Sequence, residues 1–190
     1  DVDAQVTTLN EMADLALGHL QAPMRAMRYL EASISRRPAQ LKRLHMLAEL
    51  YDGAQRWEAA LATYDAAARH TRDPRLEVRL LRRMAHILTQ ELRDPGRAAG
   101  VLDRVLARTP GDLEVALTLV EQLHQLGQDA AALELIDRLE TGADSPEAIK
   151  QVRLMRLTIT TAGEHPPGAA LDAARAVLLH HPEHGEALDV

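Results

Sequence analysis

Apolar residues in this chain recur three and four positions apart rather than alternating. Leu44, Leu47, Ala48 and Tyr51 mark one such stripe; Leu9, Met12 and Ala13 mark another, and Leu81, Met84 and Ala85 repeat it. Side chains at that spacing lie over one another on one face of a helix, so the pattern predicts amphipathic helices. Prolines stand at 38, 74, 110, 146 and 182, each 36 residues after the last, and a helical pattern resumes just beyond each one. Proline costs little in the first turn of a helix and breaks a helix interior, so these positions punctuate the helices. Five proline-marked units, each long enough for two helices, predict a solenoid.

The units alternate. Pro23, Pro95 and Pro167, spaced 72 apart, each open a second helix, with Ala26, Ala98 and Ala170 three residues on. In these odd units the small packing residue lies 12 residues before the terminal proline. In the even units Ala60 and Ala132 lie 14 before it. The true period is therefore a 72-residue pair of unlike hairpins. Gly53 and Gly127 read as turn glycines within the even hairpins. The fifth unit is looser, because Arg153 and Arg156 stand where Leu81 and Met84 predict apolar residues. A one-residue slip, to Leu154 and Leu157, is the expected register there.

Leu47-Ala48-x-x-Tyr51, followed by Gly53, Trp57, Ala60, Tyr64 and Ala67, resembles the tetratricopeptide repeat. Leu119, Leu123, Gly127, Ala132, Ile136 and Leu139 restate it with aliphatics in place of the aromatics. The alternating pairs resemble long bacterial tetratricopeptide arrays, and the preference for Arg over Lys fits a GC-rich bacterial genome. The resemblance implies an all-α fold. Its form would be a right-handed α-solenoid of about five antiparallel hairpins, near residues 3–37, 38–73, 74–109, 110–145 and 146–181. Residues 182–190 would start a further helix, in a single segment excerpted from a longer protein.

Composition narrows the function. Hydrophobic residues make up 46% of the chain but aromatic ones only 2%, with no Phe and a single Trp57, which favours helices built from Ala and Leu. Cysteine is absent, which removes disulfides and thiolate chemistry. That fits a reducing cytoplasm, although a cysteine-free periplasmic protein would read the same. No apolar run approaches the ~20 residues that cross a bilayer. The net charge of −6 is unevenly placed, since residues 69–108 hold ten arginines against five acids. This basic island is too narrow, and too poor in aromatics, for a nucleic-acid surface.

Catalytic chemistry has little to stand on. His180, His181 and His184 with Glu183 have short metal-ligand spacing but surround the turn at Pro182, so a solvated turn is the expected reading. Ser33 takes a small-residue packing position, Ser145 reads as a helix cap, and no phosphate-cradling glycine loop occurs. The expectation is a non-catalytic scaffold without cofactor or metal. The alternative is a regulatory or sensor module attached to an enzyme or signalling domain elsewhere in the same chain.

The resemblance also implies that the first helix of each hairpin lines a concave groove. Its groove positions fall on Lys42, His45, Glu49 and Asp52, then on Arg79, Arg82, His86 and Thr89, then on Glu114, Leu117, Glu121 and His124. The candidate partner-binding residues are Lys42, His45, Glu49, Arg79, Arg82, His86 and Glu121. The partner would be an acidic or mixed-charge peptide or protein domain, with self-association through the open solenoid ends as a further expectation. The family's carboxylate clamp needs Lys and Asn where this chain has Asn10, Asp14, His45 and Glu49; Asp14 and Glu49 would repel a carboxylate.

Overall fold

A computed structural model describes residues 1–143, 145–162, 167–179 and 185–188. Among these, every regular element is helical. In the first unit, Asp1–Asp94, they are α1 Val2–Gly18, α2 Pro23–Arg36, α3 Leu41–Gly53, α4 Trp57–His70 and α5 Pro74–His86, which runs on into a π turn, Ile87–Glu91. In the second, Pro95–Val190, they are α6 Pro95–Arg108, α7 Leu113–Gln125, α8 Asp129–Gly142, α9 Pro146–Ala162, α10 Pro167–Leu178 and α11 Gly185–Leu188. Within each unit, every helix packs on the next. No described helix is long and apolar enough to cross a membrane.

The 72-residue period is written into the backbone. The turn between α3 and α4 closes with Arg56 N–H donating to the Tyr51 carbonyl at 2.8 Å, and that between α7 and α8 with Gln128 N–H donating to the Leu123 carbonyl at 2.9 Å. The odd-type turns are wider: Ala22 N–H donates to the Ala16 carbonyl and Asp94 N–H to the Leu88 carbonyl, both at 2.9 Å. Both members of each pair are 72 residues apart. The π turn belongs to the wide type, with Leu92 N–H on the Ile87 carbonyl at 3.0 Å and Leu20 N–H on the Leu15 carbonyl at 3.3 Å. The packing alanine falls nearer the proline in odd units because Pro38 and Pro110 precede α3 and α7 by three residues, whereas Pro74 and Pro146 are the first residues of α5 and α9.

Proline plays two parts. Pro74 and Pro146 are the first residues of α5 and α9, where the missing N–H is not needed. Pro38 and Pro110 lie three residues before α3 and α7. Side-chain caps complete several starts. Asp73 accepts from Arg75 N–H at 2.9 Å, Asp112 from Val115 N–H at 3.3 Å, and Ser145 from Ala148 N–H at 3.2 Å.

Each of the four described hairpin turns places one residue in the left-handed region, two positions before its second helix. These residues are Gln21, Gln55, Arg93 and Gly127, with φ of 46°, 58°, 50° and 69°. The pairing of Gly53 with Gly127 is therefore corrected: Gly53 is the last residue of α3, and Gln55 is the true equivalent of Gly127. Side chains other than glycine pay for a Cβ crowded against the following carbonyl in this region. Gln55→Gly is expected to raise the unfolding free energy by about 0.5 kcal/mol, and Gly127→Ala to lower it by about 1 kcal/mol. Space around Gly127 is open, so backbone strain alone sets its cost. Paired thermal melts check both signs.

Small residues set the helix spacing. Ala26, Ala98, Ala60 and Ala132 are all fully buried. Beside them lie Leu30 and Leu102 in α2 and α6, and Tyr64 and Ile136 in α4 and α8. Ser33 is fully buried too; its hydroxyl donates to Asn10 Oδ1 at 2.8 Å and accepts from Gln40 Nε2 at 3.0 Å. Asn10 Nδ2 donates in turn to Gln40 Oε1 at 3.0 Å, closing a satisfied polar ring between α1, α2 and the approach to α3.

In the fifth unit the apolar pair moves to Leu157, which is buried, and Leu154, which packs against the same cluster, while the backbone keeps the 72-residue period. Val152, Leu157, Ile159 and Thr160 are buried in α9, and they stand 72 residues after Leu80, Ala85, Ile87 and Leu88, also buried. Arg153 and Arg156 occupy the Leu81 and Met84 positions in unchanged register and are half-buried. Their stems cover apolar surface while the guanidinium groups find acceptors. Arg153 donates to the Ala176 carbonyl at 3.2 Å, and Arg156 to Glu140 at 3.3 Å and to Asp137. Burial opposes the Arg156 charge, and the bonds to Asp137 and Glu140 overcome it, so its pKa is raised.

Candidate functional site

Two ion pairs in the first unit join successive first helices. Arg43 on α3 grips Asp14 on α1 through both carboxylate oxygens, one of them at 2.9 Å. Arg83 on α5 grips Asp52 on α3 the same way, with Nε on Oδ2 and Nη2 on Oδ1, each at 2.6 Å. Such fork geometry fixes orientation as well as charge. Tyr64 on α4 adds a third donor to Asp52, its hydroxyl 2.9 Å from Oδ2. Asp14 is thus paired with Arg43, and Asn10 faces Ser33 and Gln40.

The Asp52 cluster sits in an open depression of about 560 Å3, lined also by Glu49, Gly53, Gln55 and the half-buried Trp57. Hydrogen bonds from Arg83 hold the Asp52 carboxyl below its ordinary 3.8, outweighing burial, with help from Tyr64 and the nearby His86 charge. Burial and the bond to Asp52 push the Tyr64 hydroxyl upward, so it stays protonated. Tyr51 behaves alike: burial and its bond to Glu31 push it up to about 12, with the Arg56 guanidinium 4.7 Å from the ring centre.

A carboxyl depressed on folding stabilises the native state above its unfolded value, and that contribution drains away as pH falls below it. Asp52 therefore supports the fold at neutral pH and ceases to do so as acid drops below 3.8 and its folded value is crossed. Asp52 is 11% exposed but Arg83 is 39% exposed, so solvent screens part of the pairing. Asp52→Asn is expected to cost about 1–2 kcal/mol at pH 7. The variant should also lose stability less steeply between pH 4 and pH 2 than the parent, as denaturant titrations across that range would show.

Around this charge-balanced floor lie the predicted groove residues. Lys42 and Glu49 are exposed on α3 and His45 is partly so, its Nε2 3.7 Å from Glu49 Oε1. Arg79, Arg82 and His86 are exposed on α5. The structure brings these six together in one unit, on two helices tied by Asp52 and Arg83. Glu121 is exposed on α7, which belongs to the second unit. There His124 Nδ1 lies 2.6 Å from Asp129 Oδ1. Arg43, Arg83 and their acid partners were missed as a set; the available signal was an acid on one first helix with an arginine 29 or 31 residues later on the next. Among the described residues, no group of three His, Cys, Asp or Glu could hold a metal. The His180–His184 cluster lies outside them.

Residues 90–153 match a family model described as tetratricopeptide repeat. Solved structures share the fold across nearly the whole chain. YrrB, reported as a tetratricopeptide repeat protein with an unusual peptide-binding site, is 15% identical, with 95% of this chain and 89% of that one aligned at a TM-score of 0.58. MamA is 12% identical, with coverages of 97% and 91% and a TM-score of 0.58. A tetratricopeptide repeat protein from Parabacteroides merdae is 15% identical, with coverages of 98% and 70% and a TM-score of 0.54. No curated protein matches the chain.

Residues 90–153 therefore match the tetratricopeptide repeat, and the described residues have the all-α fold of tetratricopeptide solenoids. Proteins of this fold serve in general as protein-interaction scaffolds and are generally non-catalytic.

Proposed function

We propose that this protein is a non-catalytic scaffold whose first-helix surface in the first unit binds an acidic or mixed-charge peptide of a partner protein. The observation that carries the reading is the charge balance around Asp52. Arg83 takes up the Asp52 charge internally, and the surface beside it exposes Lys42 and Arg79, with Arg82 and Glu49 alongside them. His45 and His86 add hydrogen-bond donors at the same level. A cationic surface over a rigid, ion-paired floor attracts an acidic chain without rearranging to do so. The peptide-binding property of YrrB is in keeping with this use of the fold.

Fluorescence anisotropy tests it with three fluorescein-labelled 12-residue peptides, one acidic, one neutral and one basic. The acidic peptide is expected to bind best and to weaken with salt. Arg79→Glu with Arg82→Glu should weaken it at least about tenfold, or about 1.4 kcal/mol, with helicity by circular dichroism unchanged. Equal binding by parent and double variant would remove the assignment.

A further inference from the structure

The second unit contains a cleft whose lining differs in size from the matching residues of the first. It lies among α6, α7 and α8 and encloses about 380 Å3. Ala116 and Leu119 form its floor, Leu106 one wall, and Leu135 and Leu139 the other, with Asp103 and Arg138 exposed at the mouth. Seventy-two residues earlier, Leu44 stands at the Ala116 position, and both are buried. The second unit therefore lacks three side-chain carbons at the floor. Tyr51 stands at the Leu123 position and reaches across to Glu31, which corresponds to Asp103. Leu123 has no hydroxyl to make that bridge. Leu135, Arg138 and Leu139 meanwhile replace Thr63, Ala66 and Ala67, raising the wall along α8. Ala116 lowers the floor and Leu123 leaves the mouth unbridged, while the bulkier Leu135, Arg138 and Leu139 line one side of the remaining space.

We propose that this cleft is a second peptide site, taking a partner segment whose aliphatic side chains enter it between a base facing Asp103 and an acid facing Arg138. Its volume lies within the range of about 300–1,000 Å3 typical of ligand pockets, and its interior is aliphatic. Opposite charges on two different helices suit a chain carrying both signs. A single-headed amphiphile such as a fatty acid would place its carboxylate near Asp103 as well as Arg138. A trough between two helices is also a recurring seat for amphipathic peptides. The site is built from other residues than the Arg79 and Arg82 surface, so either stands without the other.

The probe is a phage-displayed library of random 12-residue peptides panned on the whole protein, with enriched sequences remade as fluorescein conjugates. Peptides with clustered aliphatics flanked by a base and an acid are expected. Ala116→Leu, which restores the residue that position 44 carries, should weaken them at least about tenfold. Asp103→Lys and Arg138→Glu, both on exposed positions that leave the fold intact, should each weaken them, and peptides with the two charges exchanged should recover binding to the doubly substituted protein. Arg79→Glu with Arg82→Glu should leave these peptides unaffected. The proposal fails if no such peptides enrich, if they bind Ala116→Leu and the rim variants as well as the parent, or if octanoate displaces them and shows no response to Asp103→Lys.

Discussion

Replacing Ile87 with alanine lowers the unfolding free energy by about 2–5 kcal/mol, while Leu15→Ala, at the matching position one period earlier, changes it by no more than about 0.5 kcal/mol. Ile87 is fully buried at the start of the π turn, where α4 packs against it. Leu15 is 51% exposed in the same backbone setting, with the same wide hydrogen bond from the residue five positions on. Truncation at 87 removes the three side-chain carbons beyond Cβ and leaves a void that close-packed neighbours close only in part. At Leu15 most of the side chain already meets water. Paired chemical denaturation of the two variants reads the difference directly, and similar losses at both positions would show that α4 does not cover the α5 face.

Ala60→Leu is the second large effect, a loss of about 1–3 kcal/mol from overpacking. Ala60 is fully buried in α4, which packs on both α3 and α5, and a larger side chain must push one of them away. Ala62, two residues along the same helix, is exposed, and Ala62→Leu should stay within about 0.5 kcal/mol. A thermal melt in which Ala60→Leu is as stable as the parent would mean that another residue sets the α3–α4 spacing.

The elements legible in the sequence were those set by size and period. Ala60 and Ala132, or Ala26 and Ala98, could be read because close helix approach demands a small residue at a fixed distance from the next start. The left-handed turn positions were not, since Gln55 and Arg93 carry no mark of their φ, and the one glycine that does mark it, Gly127, drew attention to Gly53 instead. The partial burial of the two α9 arginines was hidden for a different reason. An arginine reads as polar in a pattern, yet its stem packs as a hydrophobe when acceptors such as Asp137, Glu140 and the Ala176 carbonyl wait at its end. The candidate site was half visible. Its exposed cations followed from the repeat, but the Asp14–Arg43 and Asp52–Arg83 pairs depend on how neighbouring first helices meet, which no single helix encodes.

The claim that the first-helix surface binds a partner is tested most directly by titrating 15N-labelled protein with the acidic 12-residue peptide and following backbone amide shifts. The largest shifts are expected on α3 and α5, around Lys42, His45, Glu49, Arg79, Arg82 and His86, with the Arg83 side-chain Nε–H signal unmoved because Asp52 already holds it. Shifts gathered on α2 and α4, with α3 and α5 silent, would contradict it.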